Sequence, residues 1–266
     1  FRPGRQEMTF GGKRGLKPVE IIGEHSKGIL SGKIDRLDMY KQDDTAYIRI
    51  IDYKTGTKDF SLEDFYYGLQ MQLPVYLKAL LENQDYFKLV FGIRQVIPAG
   101  ILYYNIDDPV VKTRYGADPS EIEQLVAKQL MLKGLVLDQE PVIKAMDRSF
   151  SDRSIIINVK RNKDGSFSKN SDTASLEEFK IMEEYTEYLL KNIVNDIGKG
   201  DIRRYPVLKG DYKGCQYCLY KGLCGFDPDL RGCRYNFLPK LEKNEILRRI
   251  SEKLNKERND GDKVDS

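Results

Sequence analysis

The chain has 266 residues, of which 40% are hydrophobic and 32% charged, and its formal net charge at pH 7 is +3. A chain of this length and apolar content can bury a sizeable core, as one domain or as a domain with appendages. The small total charge gives no electrostatic argument for nucleic-acid binding. No apolar run approaches the ~18 residues of a membrane span and no secretory signal is visible, which predicts a cytoplasmic protein.

A β-sheet is predicted from segments in which β-branched and aromatic residues predominate. These segments are Val19 to Ile22, 29–40, 45–54 and 90–106, the last as two short strands or one long strand. Apart from the first of these strands, residues 1–28 read as a lead-in rich in Gly and Lys. A further short strand, Ser154 to Val159, is expected within a polar loop at 147–174.

Three helices are predicted from apolar residues at helical spacing. The first covers about 62–83, follows the N-cap Ser61 and is expected to be kinked by Pro74, which lacks a backbone donor. The second covers 119–134, with an inward face of Ile122, Leu125, Val126, Gln129 and Leu130. The third covers 175–198, with a core side of Leu176, Phe179, Met182, Tyr185 and Leu189. The charged chain beyond about residue 242 predicts a short helix that frays into a disordered tail.

Two neighbouring strands carry acidic residues where they read GKID and IIDYK. Asp52 and Lys54 point to the same sheet face because side chains alternate along a strand. With Asp35 on the adjacent strand, they are the parts that metal-assisted phosphodiester hydrolysis needs. An Asp-x-Lys pair on a strand is more often a solvated ion pair. Ile50 and Ile51 nevertheless indicate a buried strand, in which a charged pair needs partners.

The first predicted helix carries a polar residue on its apolar face. Gln72 lies four residues before Tyr76 on the same side, whereas Gln70 points roughly 200° away at 3.6 residues per turn. The alternative for Gln72 is a core amide whose hydrogen bonds go to backbone groups.

The succession GKID, IIDYK and QLPVY resembles the PD-(D/E)xK nucleases of the RecB-like group, with their motifs G-x-[IV]-D, D-x-K and Q-x-x-x-Y. The resemblance implies an α/β, restriction-endonuclease-like fold, in which helices flank a mixed central sheet. It also implies that Asp35, Asp52 and the Tyr53 backbone carbonyl bind Mg²⁺ or Mn²⁺.

The same resemblance implies roles for three further side chains. Lys54 would orient or deprotonate the attacking water and offset the charge that develops in the transition state. Gln72 and Tyr76 would hold the substrate backbone or support the metal ligands.

The four cysteines, Cys215, Cys218, Cys224 and Cys233, all lie near the C-terminal end. The first three have the spacing C-x2-C-x5-C. Clustered cysteines in an apparently cytosolic protein favour metal ligation over disulfides, and zinc is the generic metal at such a spacing. Reduced thiols under a loop are the alternative.

A RecB-like nuclease followed by this spacing resembles the C-terminal nuclease domain of the B subunit of AddAB-type helicase–nucleases. The resemblance runs along nearly the whole chain, from YYGLQMQLPVYL through GILYYNIDDPVV and KGLVLDQEPVIKAMD to SLEEFKIMEEYTEYLL. It implies a [4Fe–4S] cluster on Cys215, Cys218 and Cys224, with a fourth cysteine upstream of the nuclease motifs and Cys233 an ordinary thiol. It implies a nuclease domain at 1–240, including a cysteine loop at 206–233, and a charged tail at 241–266.

The implied function is a metal-dependent DNA exonuclease module that processes double-strand break ends for recombinational repair. Its implied partners are DNA, as duplex ends and unwound single strands, and a helicase–nuclease A subunit. The start at FRPGRQ predicts a fragment without the upstream cysteine and metal-binding His of this family. The ATPase-like portion is also expected to be missing, since the chain has no GxxxxGK[ST] motif. Little bound cluster and weak activity are therefore expected.

The single histidine, His25, is expected to be an exposed loop or strand-edge residue.

The sequence leaves two alternatives to this function. One is a Cas4-like or stand-alone RecB-like exonuclease. The other is a non-catalytic module that binds DNA ends and keeps the nuclease fold.

Overall fold

A computed structural model describes residues 1–13, 15–56 and 58–261 of the chain. Helices and strands alternate through most of it. In chain order they are β1 Arg2–Phe10, β2 Val19–Ile22, β3 Lys27–Leu30, β4 Gly32–Gln42, β5 Thr45–Lys54, α1 Leu62–Tyr66, α2 Gln72–Leu81, α3 Gln84–Phe91, β6 Gln95–Asn105, α4 Pro119–Gln129, β7 Lys133–Leu137, α5 Glu140–Met146, β8 Thr173–Ala174, α6 Leu176–Gly198, β9 Val207–Lys209, β10 Tyr212–Lys213, α7 Lys221–Cys224, β11 Asn236–Phe237 and α8 Lys243–Gly261.

The central sheet has the order β1-β4-β5-β6-β7-β8. β5 and β6 are parallel, as are β7 and β8, and the other neighbouring strands are antiparallel. The prediction of a mixed sheet in an α/β fold is therefore confirmed. β2 is also where the sequence predicted it, but it pairs with β3 in a separate hairpin.

Helices cover both faces of this sheet. On one face, α2 packs on β5 and β6, and α6 packs on α2. On the opposite face Met146 of α5 lies so close to Gly100 of β6 that a Cβ there would be 3.4 Å from the methionine methyl group. The apolar residues of β5 are accordingly buried from both sides, which explains why Ile50 and Ile51 follow each other in the sequence.

The lead-in expected before residue 19 is wrong, because β1 is an edge strand paired with β4. Its sequence RPGRQEMTF hides this role, since in this strand only Met8 and Phe10 are buried. The register shifts between Pro3 and Arg5, and a proline and a bulge are features that edge strands tolerate.

The single kinked helix expected at 62–83 is also wrong. α1 ends at Tyr66, and α2 begins only at Gln72, after a connection in which Gly68 has a φ of +75°. Pro74 does not kink the helix because it is the third residue of α2, and the N–H groups of the first turn have no intrahelical partner. α3 then occupies the start of the segment expected to be a strand at 90–106.

The helix expected at 119–134 ends at Gln129. Of its predicted inward face, Ile122, Leu125 and Val126 are half-buried whereas Gln129 and Leu130 are exposed, so that face is confirmed only in part. Ser154 to Val159 is not a strand, although Ile157 forms an isolated bridge with Leu132. The loop instead closes on Asp147, whose carboxylate accepts hydrogen bonds from Ser149, from Ser154 and from the Ile155 N–H.

α6 is confirmed and begins with a capping box in which Ser175 and Glu178 bond each other's backbone N–H. Phe179, Met182 and Tyr185 of its predicted core side are buried, whereas Leu176 is 44% exposed.

α8 is longer than the short helix that was expected, and it buries Ile246, Ile250 and Leu254. The tail predicted beyond Gly261 lies outside the described residues, and the domain division at residue 240 stays a prediction. None of the helices in the described ranges is both long and apolar enough to span a membrane.

Candidate active site

Asp35 and Asp52 face each other where β4 and β5 diverge. The last paired residues of this antiparallel ladder are Arg36 and Ile51, and one further step in the same register places the two aspartates opposite each other. The side chain of Asp35 replaces a backbone carbonyl as the next hydrogen-bond acceptor between the two strands. Its Oδ2 accepts a hydrogen bond of 3.0 Å from the Tyr53 N–H. The two carboxylates predicted from the sequence are thus on one face at one end of the sheet.

Asp52 is a buried carboxylate, with 1% of the residue exposed. Its Oδ1 accepts a hydrogen bond of 3.0 Å from Gln72 Nε2. Its Oδ2 is in ion-pair contact with Lys54 Nζ but has no hydrogen bond of good geometry among the described residues. Burial raises the pKa of the Asp52 carboxyl, although Lys54 opposes this shift. This oxygen is the one buried side-chain acceptor among the described residues that lacks a hydrogen-bond partner.

Gln72 connects the two charged groups to the helix. Its Oε1 accepts a hydrogen bond of 2.8 Å from Lys54 Nζ, and its Nε2 donates to Asp52 and, at 2.9 Å, to the Tyr76 hydroxyl. All three contacts depend on α2, in which Gln72 and Tyr76 are one turn apart as the sequence predicted. Gln72 is therefore not a core amide bonded to the backbone.

Gln70 lies outside this network, as the helical wheel predicted. The cause is not its angle on the helix but its position before the start of α2. Gln70 bonds the backbone at the start of α1, accepting from the Ser61 N–H at 3.0 Å.

Tyr76 is positioned by the sheet as well as by its helix. Its ring makes an edge contact with Phe10 of β1, with centroids 6.0 Å apart. A Cβ at Gly32 would lie 2.8 Å from the Phe10 ring. Gly32 is therefore explained by the packing of Phe10. Gly56, the other glycine beside the site, forms a turn with a φ of +83°.

Sequence reasoning missed Tyr103, which is next to Asp52 in the parallel pairing of β5 with β6. Only 2% of Tyr103 is exposed, and burial together with the Asp52 charge raises the pKa of its phenol to about 12. Lys54 Nζ lies 5.5 Å from the ring centroid and Lys58 Nζ lies 5.9 Å from it. A tyrosine in the strand that pairs beside an Asp-x-Lys motif is the signal that could have found it.

Tyr53 contributes backbone groups to the site while its side chain lies on the other face. A strand residue directs its N–H and its C=O to the same neighbour, and the Tyr53 N–H points toward Asp35. On that other face, Asp38 is fully buried and accepts hydrogen bonds from Arg36 at 2.8 Å and from Arg49 at 2.8 and 3.0 Å. Arg36 also reaches the Tyr53 hydroxyl at 3.4 Å.

The donor set fits a divalent cation in its chemistry. Two carboxylates and a backbone carbonyl are the hard oxygen ligands that Mg²⁺ and Mn²⁺ prefer. Asp52 Oδ2, which contacts the Lys54 ammonium but has no hydrogen bond of good geometry, is a buried acceptor that such a cation would share with Lys54. No group of three or more His, Cys, Asp or Glu side chains within the described ranges is arranged to hold a metal. The fit therefore rests on two side chains together with the backbone.

The cysteines lie apart from these carboxylates, on the segment that contains β9, β10 and α7. All four are reduced, and Cys218 is exposed while the other three are partly exposed. They are not gathered into a ligand group. The cysteines that were expected to bind the iron–sulfur cluster are thus not arranged as a ligand group within the described ranges. His25 is exposed in the turn between β2 and β3, as expected.

Lys209 and Glu63 attach the cysteine-bearing segment to α1. The Lys209 ammonium pairs with Glu63 at 2.5 Å and also contacts Asp64. The Glu63 carboxylate accepts a further hydrogen bond of 2.6 Å from the Leu241 N–H, and the Tyr67 hydroxyl donates to the Pro239 carbonyl at 2.7 Å. The segment is therefore joined to the body of the protein beside the helices that support the acidic site.

Residues 1–225 match the family model described as the PD-(D/E)XK nuclease superfamily. Among curated proteins, the chain is similar to the B subunit of the ATP-dependent helicase/deoxyribonuclease of Clostridium tetani, with 41% identity over 256 residues. It is similar to proteins of the same name from Thermoanaerobacter sp., with 37% identity over 266 residues, and from Acetivibrio thermocellus, with 38% identity over 247 residues.

These matches cover 96%, 100% and 92% of this chain respectively. They cover only 22%, 22% and 21% of the three relatives, so the chain spans about a fifth of their length.

Proposed function

The chain belongs to the PD-(D/E)XK nuclease superfamily, and on that premise we propose that it is a divalent-metal-dependent deoxyribonuclease module. The observation that carries the proposal is the buried Asp52 carboxylate, whose Oδ1 is bonded to Gln72 and whose Oδ2 contacts the Lys54 ammonium, opposite Asp35 on the neighbouring strand. Two carboxylates and an ammonium brought together at one end of a sheet are more than a structural ion pair needs.

Asp35, Asp52 and the Tyr53 carbonyl would hold the metal. When bound, Mg²⁺ or Mn²⁺ would supply Lewis-acid polarisation of the phosphate and offset its negative charge. Asp35 is kept in place by the hydrogen bond from the Tyr53 N–H, and Asp52 by Gln72. The site thus keeps its carboxylates oriented before a ligand arrives, which lowers the reorganisation required during reaction.

Lys54 would act on the attacking water and on the phosphate. An ammonium has three donors, and two of them are directed to Asp52 and to Gln72 Oε1. The third is available to a water or to a phosphoryl oxygen. The Lys54 side chain is 25% exposed, so water and a phosphoryl oxygen can both reach this donor, while Asp52 and the Tyr103 ring fix its position from the protein side. Tyr76 would support Gln72 and contact the substrate backbone.

We further propose that the module belongs to a helicase–nuclease that processes double-strand break ends with an A-subunit partner. The names and coverage of the three relatives support this assignment over a stand-alone exonuclease. Duplex ends and unwound single strands would be its substrates. The presence of Asp35, Asp52 and Lys54 in one network supports catalysis over the DNA-end-binding alternative, because binding alone does not need all three.

The test uses the purified chain with Mn²⁺ and two readouts, metal binding by calorimetry and single-turnover cleavage of end-labelled single-stranded DNA. Asp52→Asn is expected to lose both, and Lys54→Ala to lose cleavage while still binding metal. Glu123→Gln and Lys163→Ala alter exposed residues elsewhere and serve as charge-matched controls. Because cleavage by this chain alone is expected to be weak, metal binding is the primary readout. Unchanged Mn²⁺ affinity in Asp52→Asn would contradict the assignment.

The cysteines carry a separate proposal, supported by their spacing and by the lack of a disulfide among the four. Cys215, Cys218 and Cys224 would bind a [4Fe–4S] cluster with a fourth thiolate from outside this chain, since such a cluster needs four ligands. Anaerobically purified chain is then expected to contain little iron. About four irons per chain, with absorbance near ~400 nm, would instead indicate that Cys233 completes the set.

A further inference from the structure

A groove of about 680 Å³ adjoins the candidate active site and reaches the cysteine-bearing segment. It is lined by Lys58, which lies against the same Tyr103 ring as Lys54. Its lining also includes Tyr212 and Lys240. We call this the Lys58 groove. Its lining thus joins a lysine beside the active-site ring Tyr103 to residues of the C-terminal segment.

The free charge in the Lys58 groove is positive. Its two acids, Glu63 and Asp64, are both held by Lys209, which lies in the same groove. Lys58 and Lys240 are exposed, and within the described part of the chain neither has an ion-pair partner. Lys58, Lys209 and Lys240 against Glu63 and Asp64 give the groove a net charge of +1, and Lys58 and Lys240 are the two cations that a polyanion can reach.

A second groove also starts at Lys58 but has the opposite character. It contains Lys128 and Lys133, together with three aspartates, Asp59, Asp107 and Asp108. Three carboxylates against three ammonium groups give a polyanion no net attraction. The charges thus favour one direction from the active site, toward Tyr212 and Lys240.

The Lys58 groove also offers an aromatic face. Tyr212 is 51% exposed, and its ring has no aromatic or cation–π neighbour in the described residues. Beyond it the C-terminal segment exposes two more tyrosines, Tyr217 at 84% and Tyr220 at 70%. Between residues 203 and 240 the sequence has eight basic and only three acidic residues. Exposed rings among Lys and Arg are the features on which unpaired bases stack, and duplex DNA has no unpaired base to offer them.

We propose that the Lys58 groove binds a single-stranded DNA segment that flanks the scissile phosphate. Lys58 and Lys240 contact phosphates, and Tyr212 stacks on a base. This inference rests on the proposed nuclease function, because it assigns a strand-binding subsite to the same active site. Lys209 pairs with both acids of the groove, offsets one of their two charges and does not itself contact DNA.

The test measures the binding of a fluorescent oligothymidylate of about 20 nucleotides, longer than one such site requires. Binding is followed by anisotropy in EDTA, so that no cleavage occurs. Lys58→Ala/Tyr212→Ala/Lys240→Ala is expected to weaken binding at least about tenfold. It should also reduce the slope of log K against log salt by about 1.4, because each phosphate that is no longer neutralised on a single strand lowers the slope by roughly 0.7. Tyr212→Ala alone is expected to weaken single-strand binding and leave binding of a blunt duplex unchanged.

The matched control is Tyr115→Ala/Lys163→Ala, which removes an exposed tyrosine and an exposed lysine from other surfaces. It should bind as the unaltered chain does, and thermal melting should confirm that every variant is folded. Equal affinity and equal salt slope for the triple variant overturn the proposal. So does the absence of oligothymidylate binding by the unaltered chain at low salt, which would favour a protein as the occupant of this groove.

Asp52→Asn separates this inference from the proposed function. It is expected to keep oligothymidylate binding in EDTA while it loses metal-dependent cleavage. If cleavage survives Asp52→Asn, the proposed function fails. The Lys58 groove is judged independently, by the binding measurements on the triple variant.

Discussion

Asp52→Asn should raise the thermal stability of the metal-free chain. The Asp52 carboxylate is 1% exposed, and burial raises its pKa, so its charged form is less favourable in the folded state than in the unfolded chain. Asparagine has nearly the same shape and no charge, and its Oδ1 can still accept from Gln72 Nε2. Lys54 loses its ion-pair partner, but its side chain is 25% exposed and can be solvated more readily than the Arg49 guanidinium beside Asp38. Removing the charge therefore relieves a penalty that the protein accepts at this position, which is a common property of functional sites.

Added metal should reverse the order of the melting temperatures of the wild-type chain and Asp52→Asn. A ligand at about a hundredfold over its Kd stabilises the folded state by about 2.7 kcal/mol. For a chain of 266 residues, an unfolding entropy of about 2.1 cal/mol/K per residue converts this to a Tm increase of about 5 °C. The wild-type chain should show this increase with Mn²⁺, and Asp52→Asn should not. The assay is differential scanning calorimetry with and without Mn²⁺.

Asp38→Asn is the matched control, because it alters another buried aspartate, on the neighbouring strand β4. Asp38 is paired with Arg36 and Arg49, so its neutralisation leaves two guanidinium groups without their partner. Breaking a buried pair in this way costs about 3–5 kcal/mol. Asp38→Asn should therefore melt lower while keeping the Mn²⁺ shift. If both variants lose stability without metal, or both keep the Mn²⁺ shift, the reasoning about Asp52 is refuted.

Three further changes test other parts of the structure. Gln72→Leu should lower kcat/KM about tenfold and also lower Tm, because it removes one charge-assisted hydrogen bond from each of Asp52 and Lys54 and leaves the buried Asp52 Oδ1 without a donor. Unchanged kcat/KM, measured below the melting transition, would exclude Gln72 from the mechanism. Hydrogen bonds from Ser149 and Ser154 hold the pKa of Asp147 below its usual value against the effect of burial. The resulting stability is full above the unfolded pKa of about 4 and disappears as pH falls through the folded value. Ser154→Ala should thus lower Tm at pH 7 by more than at pH 3, and an equal deficit at both would contradict this. Ile250→Ala in α8 should lower the free energy of unfolding, measured in urea, by about 2–5 kcal/mol. Ile197 is 74% exposed, so Ile197→Ala should change this free energy by no more than about 0.5 kcal/mol. Equal effects of the two substitutions would mean that α8 does not pack on the rest of the protein.

The geometry of the candidate site followed from the sequence because it depends on short-range periodicity. Alternation along β5 puts Asp52 and Lys54 on one face, and the helical repeat puts Gln72 and Tyr76 one turn apart. Neither relation depends on how the chain folds at long range. Tyr103 was missed because its place beside Asp52 depends on the pairing of β5 with β6, whose residues are about fifty positions apart in the sequence. A single sequence carries no local signal for such a pairing.

The errors of prediction arose where tertiary contacts override local pattern. β1 reads as a polar lead-in because an edge strand buries only a few of its residues. α4 has helical periodicity, yet its apolar side is only half-buried, at Ile122, Leu125 and Val126. α8 reads as a fraying tail because its charged residues outnumber its apolar ones. Its sparse apolar residues, Ile246, Ile250 and Leu254, are nevertheless all four positions apart and share one buried face.

The break between α1 and α2 is the error with the clearest functional consequence. One continuous helix from residue 62 to residue 83 would be about 33 Å long, and its residues would share a single axis. The break at Gly68 gives the two halves separate directions and separate tasks. α1 presents Glu63 to Lys209 and so fixes the cysteine-bearing segment, while α2 presents Gln72 to Asp52. Because the connection between them also supplies Leu69 and Gln70 to the wall of the Lys58 groove, the break allows one short stretch of chain to contact both the carboxylates and the proposed strand path.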